Sequence, residues 1–143
     1  SQPHTQIKGV IALAPHLFVE DVSIDSIRQA RETYLSTDLK SKLARYHDDP
    51  DSAFWGWNDI WLSDAFRRWN IEAEVSNVTV PILAIQGEND EYGSLEQIRR
   101  IKAHCPQTRL LALPDCGHSP HRDQPDALLQ KCRDFVQSLI GSA

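Results

Sequence analysis

The sequence predicts an α/β fold: about three parallel strands with flanking helices, interrupted by a helical insertion. Three observations carry that reading. Short, nearly continuous apolar runs occur at 7–14 (IKGVIALA), 78–86 (VTVPILAIQ) and 108–113 (TRLLAL), each closed by proline or glycine. Runs of this kind belong to strands buried on both faces of a parallel sheet. The second and third are joined by a stretch of helical period, which makes 82–113 a right-handed βαβ unit. Residues 21–75 break the alternation with apolar positions spaced mostly three and four apart.

Composition narrows the class of function. The chain has 143 residues, 41% of them apolar, which suits one domain with a real core. Fifteen Lys and Arg stand against twenty Asp and Glu, for a net charge of −5. No run of five or more like charges occurs, so no nucleic acid or anionic membrane is expected as a partner. The longest wholly apolar stretches are too short to span a bilayer. Cys105, Cys116 and Cys132 are an odd number without C-x-x-C spacing, hence neither a disulfide framework nor a zinc finger. The opening Ser1-Gln2-Pro3-His4-Thr5-Gln6 is short and polar, unlike a signal peptide. A cytoplasmic location is expected on these grounds. Methionine is absent, which points to a processed, replaced or shortened start.

The elements follow in chain order. The run 7–14 is the first strand, stopped by Pro15. Within 23–47, Ile24, Ile27, Tyr34, Leu35, Leu39, Leu43 and Tyr46 predict one or two amphipathic helices. Asp48-Asp49-Pro50-Asp51 is a turn and helix cap. Phe54, Trp55, Trp57, Trp61, Phe66 and Trp69 then lie on one or two short helices. Trp57 and Trp61 share a face; packing is the favoured reading and an apolar pocket the other. The second strand has Pro81 near its start and Gly87 at its end, and Asn77-Val78-Thr79 is read as strand entry rather than a glycosylation site. Ser94 and Gln97 suit a capping box for a helix over 94–104, with Leu95, Ile98 and Ile101 on one face. The third strand stops at Pro114. Pro125 opens a last helix whose stripe is Leu128, Cys132, Phe135, Val136, Leu139 and Ile140, with Gly141 at its end.

Two strand ends carry the chemistry. The second runs into Gln86-Gly87-Glu88-Asn89-Asp90-Glu91-Tyr92-Gly93, and the third into Leu113-Pro114-Asp115-Cys116-Gly117-His118-Ser119-Pro120-His121. Loops at the carboxyl ends of parallel strands are where open α/β sheets place functional groups. If the strands are neighbours, Asp90 and His118 can meet. The carboxylate would then fix the imidazole's tautomer and leave its other nitrogen free as a base. Ser94 and Ser119 read as a helix cap and a loop hydroxyl, Cys116 as a small buried residue, and His16 and His47 as loop or cap residues. Cys116, His118 and His121, with Asp115 and Asp123 nearby, match no strong zinc spacing, so neither a metal nor a cofactor is expected.

A strand ending in G-x-x-D (Gly87 to Asp90), a helix, a strand ending in G-H (Gly117-His118) and a last helix together resemble the C-terminal portion of the α/β-hydrolase superfamily. The strand ending in Ala14-Pro15-His16 resembles the one that leads into that family's helical cap. The resemblance covers about 7–140. It implies a single truncated α/β-hydrolase-like, three-layer domain over 1–143, with core 7–20 and 76–141 and cap insertion 21–75. By position, Asp90 matches the catalytic acid and His118 the base.

One departure matters. The family's nucleophile lies in G-x-S-x-G, and no two of the six glycines here, at 9, 56, 87, 93, 117 and 141, bracket a serine at that spacing. The resemblance therefore implies a remnant or C-terminal part of a serine hydrolase acting on ester bonds. Such a chain begins after the nucleophile and is inactive alone. The alternative is a non-catalytic small-molecule-binding or protein-interaction module. Under the resemblance, strand 7–14 has lost a neighbour, so its uncharged edge is expected to pair two copies into a homodimer. A chain carrying the missing nucleophile half is the other partner considered.

Overall fold

A computed structural model describes residues 7–141, which form two compact units: one of residues up to 17 together with those from 71 onward, the other of 18–70. The first contains the sheet. Strands β1 (Val10–Leu13), β2 (Ile82–Gly87) and β3 (Thr108–Leu113) lie in the order β1-β2-β3, all parallel. Val10 stands opposite Ile82, and Gly87 opposite Leu113. Strand β2 starts late because Pro81 has no N–H to donate; its carbonyl instead accepts from Val10 N at 2.9 Å.

Burial on both faces holds for the middle strand only. Every residue of β2 is buried, whereas Ile11 and Leu13 of β1 are 40% and 39% exposed and Leu110 of β3 is 43% exposed. The faces of a sheet are covered by the helices packed on it, and these cover the middle strand more fully than the outer two. The expectation for 7–14 and 108–113 is corrected on that ground.

The helices of this unit are α4 (Glu72–Val75), α5 (Glu96–His104), α6 (Pro120–Asp123) and α7 (Pro125–Ile140). Leu83, Ile85, Leu113, Cys116, Leu128 and Phe135 form the core, joined at its margin by Leu111, Cys132 and Leu139. Each large apolar side chain so buried contributes about 1.5–3 kcal/mol. Of the stripe expected on α7, Leu128 and Phe135 are buried, but Val136 and Ile140 are 44% and 70% exposed. The apolar face read from the sequence is wider than the face α7 turns to the sheet.

The two residues of the expected capping box of α5 reach beyond each other. Ser94 Oγ accepts from Glu96 N at 3.1 Å, but the Gln97 side chain turns inward, and its Oε1 accepts from Leu17 N at 2.7 Å. Gln97 thus satisfies a buried backbone donor of a distant loop, a more demanding need than a solvated helix end. The Arg100–Glu72 ion pair at 2.9 Å ties α4 to α5, while Arg100–Glu96 at 3.1 Å braces α5 itself.

The second unit, 18–70, is helical: α1 (Asp21–Ser36), α2 (Leu39–Leu43), α3 (Pro50–Trp61) and a 3₁₀ turn at Phe66–Arg68. Asp49 caps α3 by accepting from Ser52 N at 3.0 Å, with Pro50 in the first turn. Tyr34 of α1 stacks on Phe54 of α3, centroids 3.9 Å apart, and its hydroxyl donates to Asp51 at 2.7 Å. Burial, then the Asp51 carboxylate, pushes that phenol up to about 12. Asn58 Nδ2 donates to Ile27 O at 3.0 Å, a second clasp between α1 and α3. Trp61 packs on Phe66 at 4.9 Å, and Trp57 meets Phe54 at 5.7 Å while staying 36% exposed. An isolated antiparallel bridge between Phe18 and Asn70 closes the unit.

Two glycines make opposite predictions. A Cβ on Gly87 would stand 2.2 Å from Cys116 O and 2.4 Å from Gly117 O, both rigid backbone atoms. Gly87→Ala should therefore lower the unfolding free energy by about 3 kcal/mol or more. Gly56, inside α3, has nothing within 4 Å of such a Cβ. Gly56→Ala should raise stability by up to about 1 kcal/mol through helix propensity. Urea unfolding of both variants checks the pair; an unchanged midpoint for Gly87→Ala contradicts the close approach.

Candidate functional site

Because β2 and β3 are hydrogen-bonded neighbours in register at Gly87 and Leu113, the chain leaves both strands side by side. The two loops are then laced together. Glu88 N donates to Leu113 O and Asn89 N to Cys116 O, each at 2.9 Å. Gly87 makes this possible, since any side chain there would strike the second loop. Asp115 takes a positive φ of 50°, which bends the β3 loop back toward its neighbour.

Within the first loop, Asp90 closes a tight turn on itself. Its Oδ1 accepts from Tyr92 N at 2.8 Å and Gly93 N at 3.3 Å. Its Oδ2 accepts from Nε2 of Gln86, which also donates to Gly93 O at 3.0 Å. The Asp90 side chain has no solvent exposure. A charge so placed needs donors around it, and the turn supplies them.

The second loop delivers His118. Its Nδ1 lies 2.9 Å from Oδ2 and 3.0 Å from Oδ1 of Asp90. Its backbone N donates to Glu91 Oε2 at 3.3 Å, and the preceding Gly117 N donates to Asp123 Oδ2 at 2.9 Å. The ring sits between Tyr92, 5.0 Å away by centroids, and His16, 5.9 Å away. The bond to Asp90 holds the imidazole above its ordinary value; burial opposes this, and the charges of Asp90 and Glu91 add to it. Beside a carboxylate, Nδ1 is the protonated nitrogen, and Nε2 is left as the acceptor. Among the described residues, no serine, threonine or cysteine side chain is hydrogen-bonded to this ring.

The remaining candidates have other partners. Ser94 Oγ receives Glu96 N, and the Ser119 carbonyl receives Arg122 N at 2.8 Å. Cys116 is buried in the core, and its thiol is pushed up by burial, with the charges of Asp123 and Asp90 adding to the effect. A thiol so shifted is a poor nucleophile. Among the described residues, no group of three or more His, Cys, Asp or Glu is placed to hold a metal ion, and no helix is long and apolar enough to cross a membrane.

Sequence reasoning missed Gln86, Glu91, Tyr92 and His16 as parts of this site. For Gln86 a signal existed: it is the one amide in the wholly buried strand ILAIQG, and a buried polar side chain requires partners.

The elevated imidazole makes a signed prediction. His118 binds its proton more tightly in the folded chain than in the unfolded one, so its contribution to stability is fully present below about pH 6.5 and fades as pH rises through the higher folded value. The unfolding free energy of the native chain minus that of His118→Gln should therefore shrink between pH 6 and pH 9. A difference that grows over that range contradicts the pairing with Asp90.

Comparison with known proteins gives these features a family. The family model described as alpha/beta hydrolase fold matches residues 20–125. A pimeloyl-[acyl-carrier protein] methyl ester esterase of Nitrosomonas europaea is 33% identical over 67 residues, which are 47% of this chain and 26% of that protein. Among solved structures, an esterase of Thermogutta terrifontis matches with a TM-score of 0.57 and 17% identity, over 92% of this chain and 56% of its own. An esterase of Exiguobacterium antarcticum matches with a TM-score of 0.61 and 14% identity, over 95% of this chain and 59% of its own. The chain thus spans about a quarter of the curated relative and under two-thirds of these structures. With three parallel strands and flanking helices in the order described, the chain belongs to the alpha/beta hydrolase fold family.

Proposed function

We propose that Asp90 and His118 are the acid–base pair of an ester hydrolase, and that the attacking hydroxyl is supplied by polypeptide outside these 143 residues. The observation that supports this most is the imidazole Nδ1 placed against both oxygens of a fully buried carboxylate, with Nε2 on the other side of the ring. In that arrangement Nε2 takes the proton from a hydroxyl as it attacks an ester carbonyl, forming the tetrahedral intermediate. The imidazolium is stabilised by Asp90, and it returns the proton to the departing alkoxide. Water repeats the cycle to release the acid. The names of the similar esterases favour ester bonds as the substrate class. Two observations support an outside nucleophile: no G-x-S-x-G occurs in the sequence, and no hydroxyl or thiol of the described residues is bonded to the His118 ring.

On this reading the 143-residue chain neither hydrolyses a short-chain aryl ester above background nor takes a covalent fluorophosphonate label. Expressed with the polypeptide encoded immediately upstream, it should do both. Asp90→Asn should then reduce kcat by about 10⁴-fold. Labelling of the chain alone that is lost in His118→Ala means that the nucleophile lies within it, and overturns the proposal.

A second reading has its own support in β1. Among the described residues, this strand pairs on one edge only. Val10, Ile11 and Leu13 are 37%, 40% and 39% exposed, with no charge between Gly9 and Ala14. We read this edge as a pairing surface, used by a second copy of the chain in a self-associating module without catalysis. Sedimentation equilibrium should show a dimer at micromolar concentration that Ile11→Lys dissociates; a monomer removes this reading.

A further inference from the structure

We propose that Gln86 is a positioning residue whose side-chain amide clamps the Asp90 carboxylate in the orientation that receives Nδ1 of His118. The inference rests on the reading of Asp90 and His118 as an acid–base pair, and it gives that pair a third member. Gln86 is the fifth residue of β2 and is fully buried. Its Nε2 has two acceptors, Asp90 Oδ2 and Gly93 O, so the nitrogen must face the turn. The amide oxygen is thereby turned away, and it is buried without a hydrogen-bond partner.

That orphaned carbonyl is unfavourable, because a buried acceptor loses its water and gains nothing in return. A methionine of similar size would leave no such atom. The amide is therefore a poor choice for packing alone and a good one for holding a carboxylate. The backbone amides of Tyr92 and Gly93 grip Oδ1 only, which leaves the group free to pivot about that oxygen. Gln86 grips Oδ2, and its second bond, to Gly93 O, joins the strand to the far end of the same turn. With both oxygens held, each lies within hydrogen-bond distance of Nδ1.

The groups around His118 are Asp90, Glu91 and Tyr92 from the β2 loop and His16 from the β1 loop, with Asp123 bonded to the neighbouring Gly117 N. Gln86→Met alters none of their charges. A change in the titration of His118 therefore reports where the Asp90 carboxylate sits.

The test is the histidine NMR titration of the 143-residue chain, with urea unfolding run in parallel. Gln86→Met should lower the His118 midpoint by about half a pH unit or more, roughly a threefold loss of proton affinity. It should also weaken the downfield Nδ1 proton signal. In an Asp90→Asn background the same substitution should leave the midpoint unmoved, as coupling through Asp90 requires. Gln86→Asn keeps the amide but withdraws it by one methylene; it should shift the midpoint the same way, and serves if the methionine variant does not fold. A midpoint unchanged or raised, or an equal shift in the Asp90→Asn background, overturns the clamp whatever happens to stability. A midpoint indifferent to Asp90→Asn in the otherwise native chain removes the acid–base pair itself.

Discussion

A carboxylate taken wholly out of solvent has to be solvated by the protein, and much of the first unit is arranged around that need at Asp90. Two backbone amides of its own turn, a strand amide and an imidazole converge on its two oxygens. Each donor comes from a different constraint. The turn amides follow from the tendency of Asp to fold its side chain back on the next residues. The strand amide requires a polar residue to be tolerated in β2. The imidazole requires a second loop to arrive at the right height.

The arrival of the second loop depends on backbone touching backbone. Gly87 lies against the carbonyls of Cys116 and Gly117, and the amides of Glu88 and Asn89 are paired with the β3 loop. Its φ is not in the left-handed region, so its role is room rather than conformational freedom. Bulk here would part the loops and carry His118 away from Asp90. Packing of Cys116 into the core from the same loop anchors the other side. A residue that resembles a reactive thiol beside a histidine is, in the folded chain, part of the foundation.

The helical unit of 18–70 has a separate internal logic. Tyr34 on Phe54, the hydroxyl of Tyr34 on Asp51, and Asn58 on the carbonyl of Ile27 fasten α1 to α3. Most of its aromatic residues are used in mutual packing, which explains the clustering of all four tryptophans within 55–69. The match to the alpha/beta hydrolase fold family begins at residue 20 and so takes in nearly all of this unit, and the fold likeness extends over nearly the whole chain.

The three strands and the longer helices are legible in the sequence because they depend on local period and on proline and glycine punctuation, whereas the single-turn helices α4 and α6 carry no such signal. Strand 108–113 and the helix opened by Pro125 were legible to the residue, and Asp90 and His118 could be named from the loops that hold them. Which apolar faces are covered depends on tertiary structure: Ile11, Leu110 and Val136 are as apolar as Leu83, yet they stay 40%, 43% and 44% exposed where Leu83 is buried. Tertiary structure also decided what buried polar groups bind. Gln97 looked like a helix cap and instead satisfies Leu17 N, while Gln86 looked like the last residue of a strand and instead holds a carboxylate. Period and punctuation act over a few residues and can be read in line. The partner of a buried amide is set by whatever the fold brings beside it, and that is written nowhere along the chain.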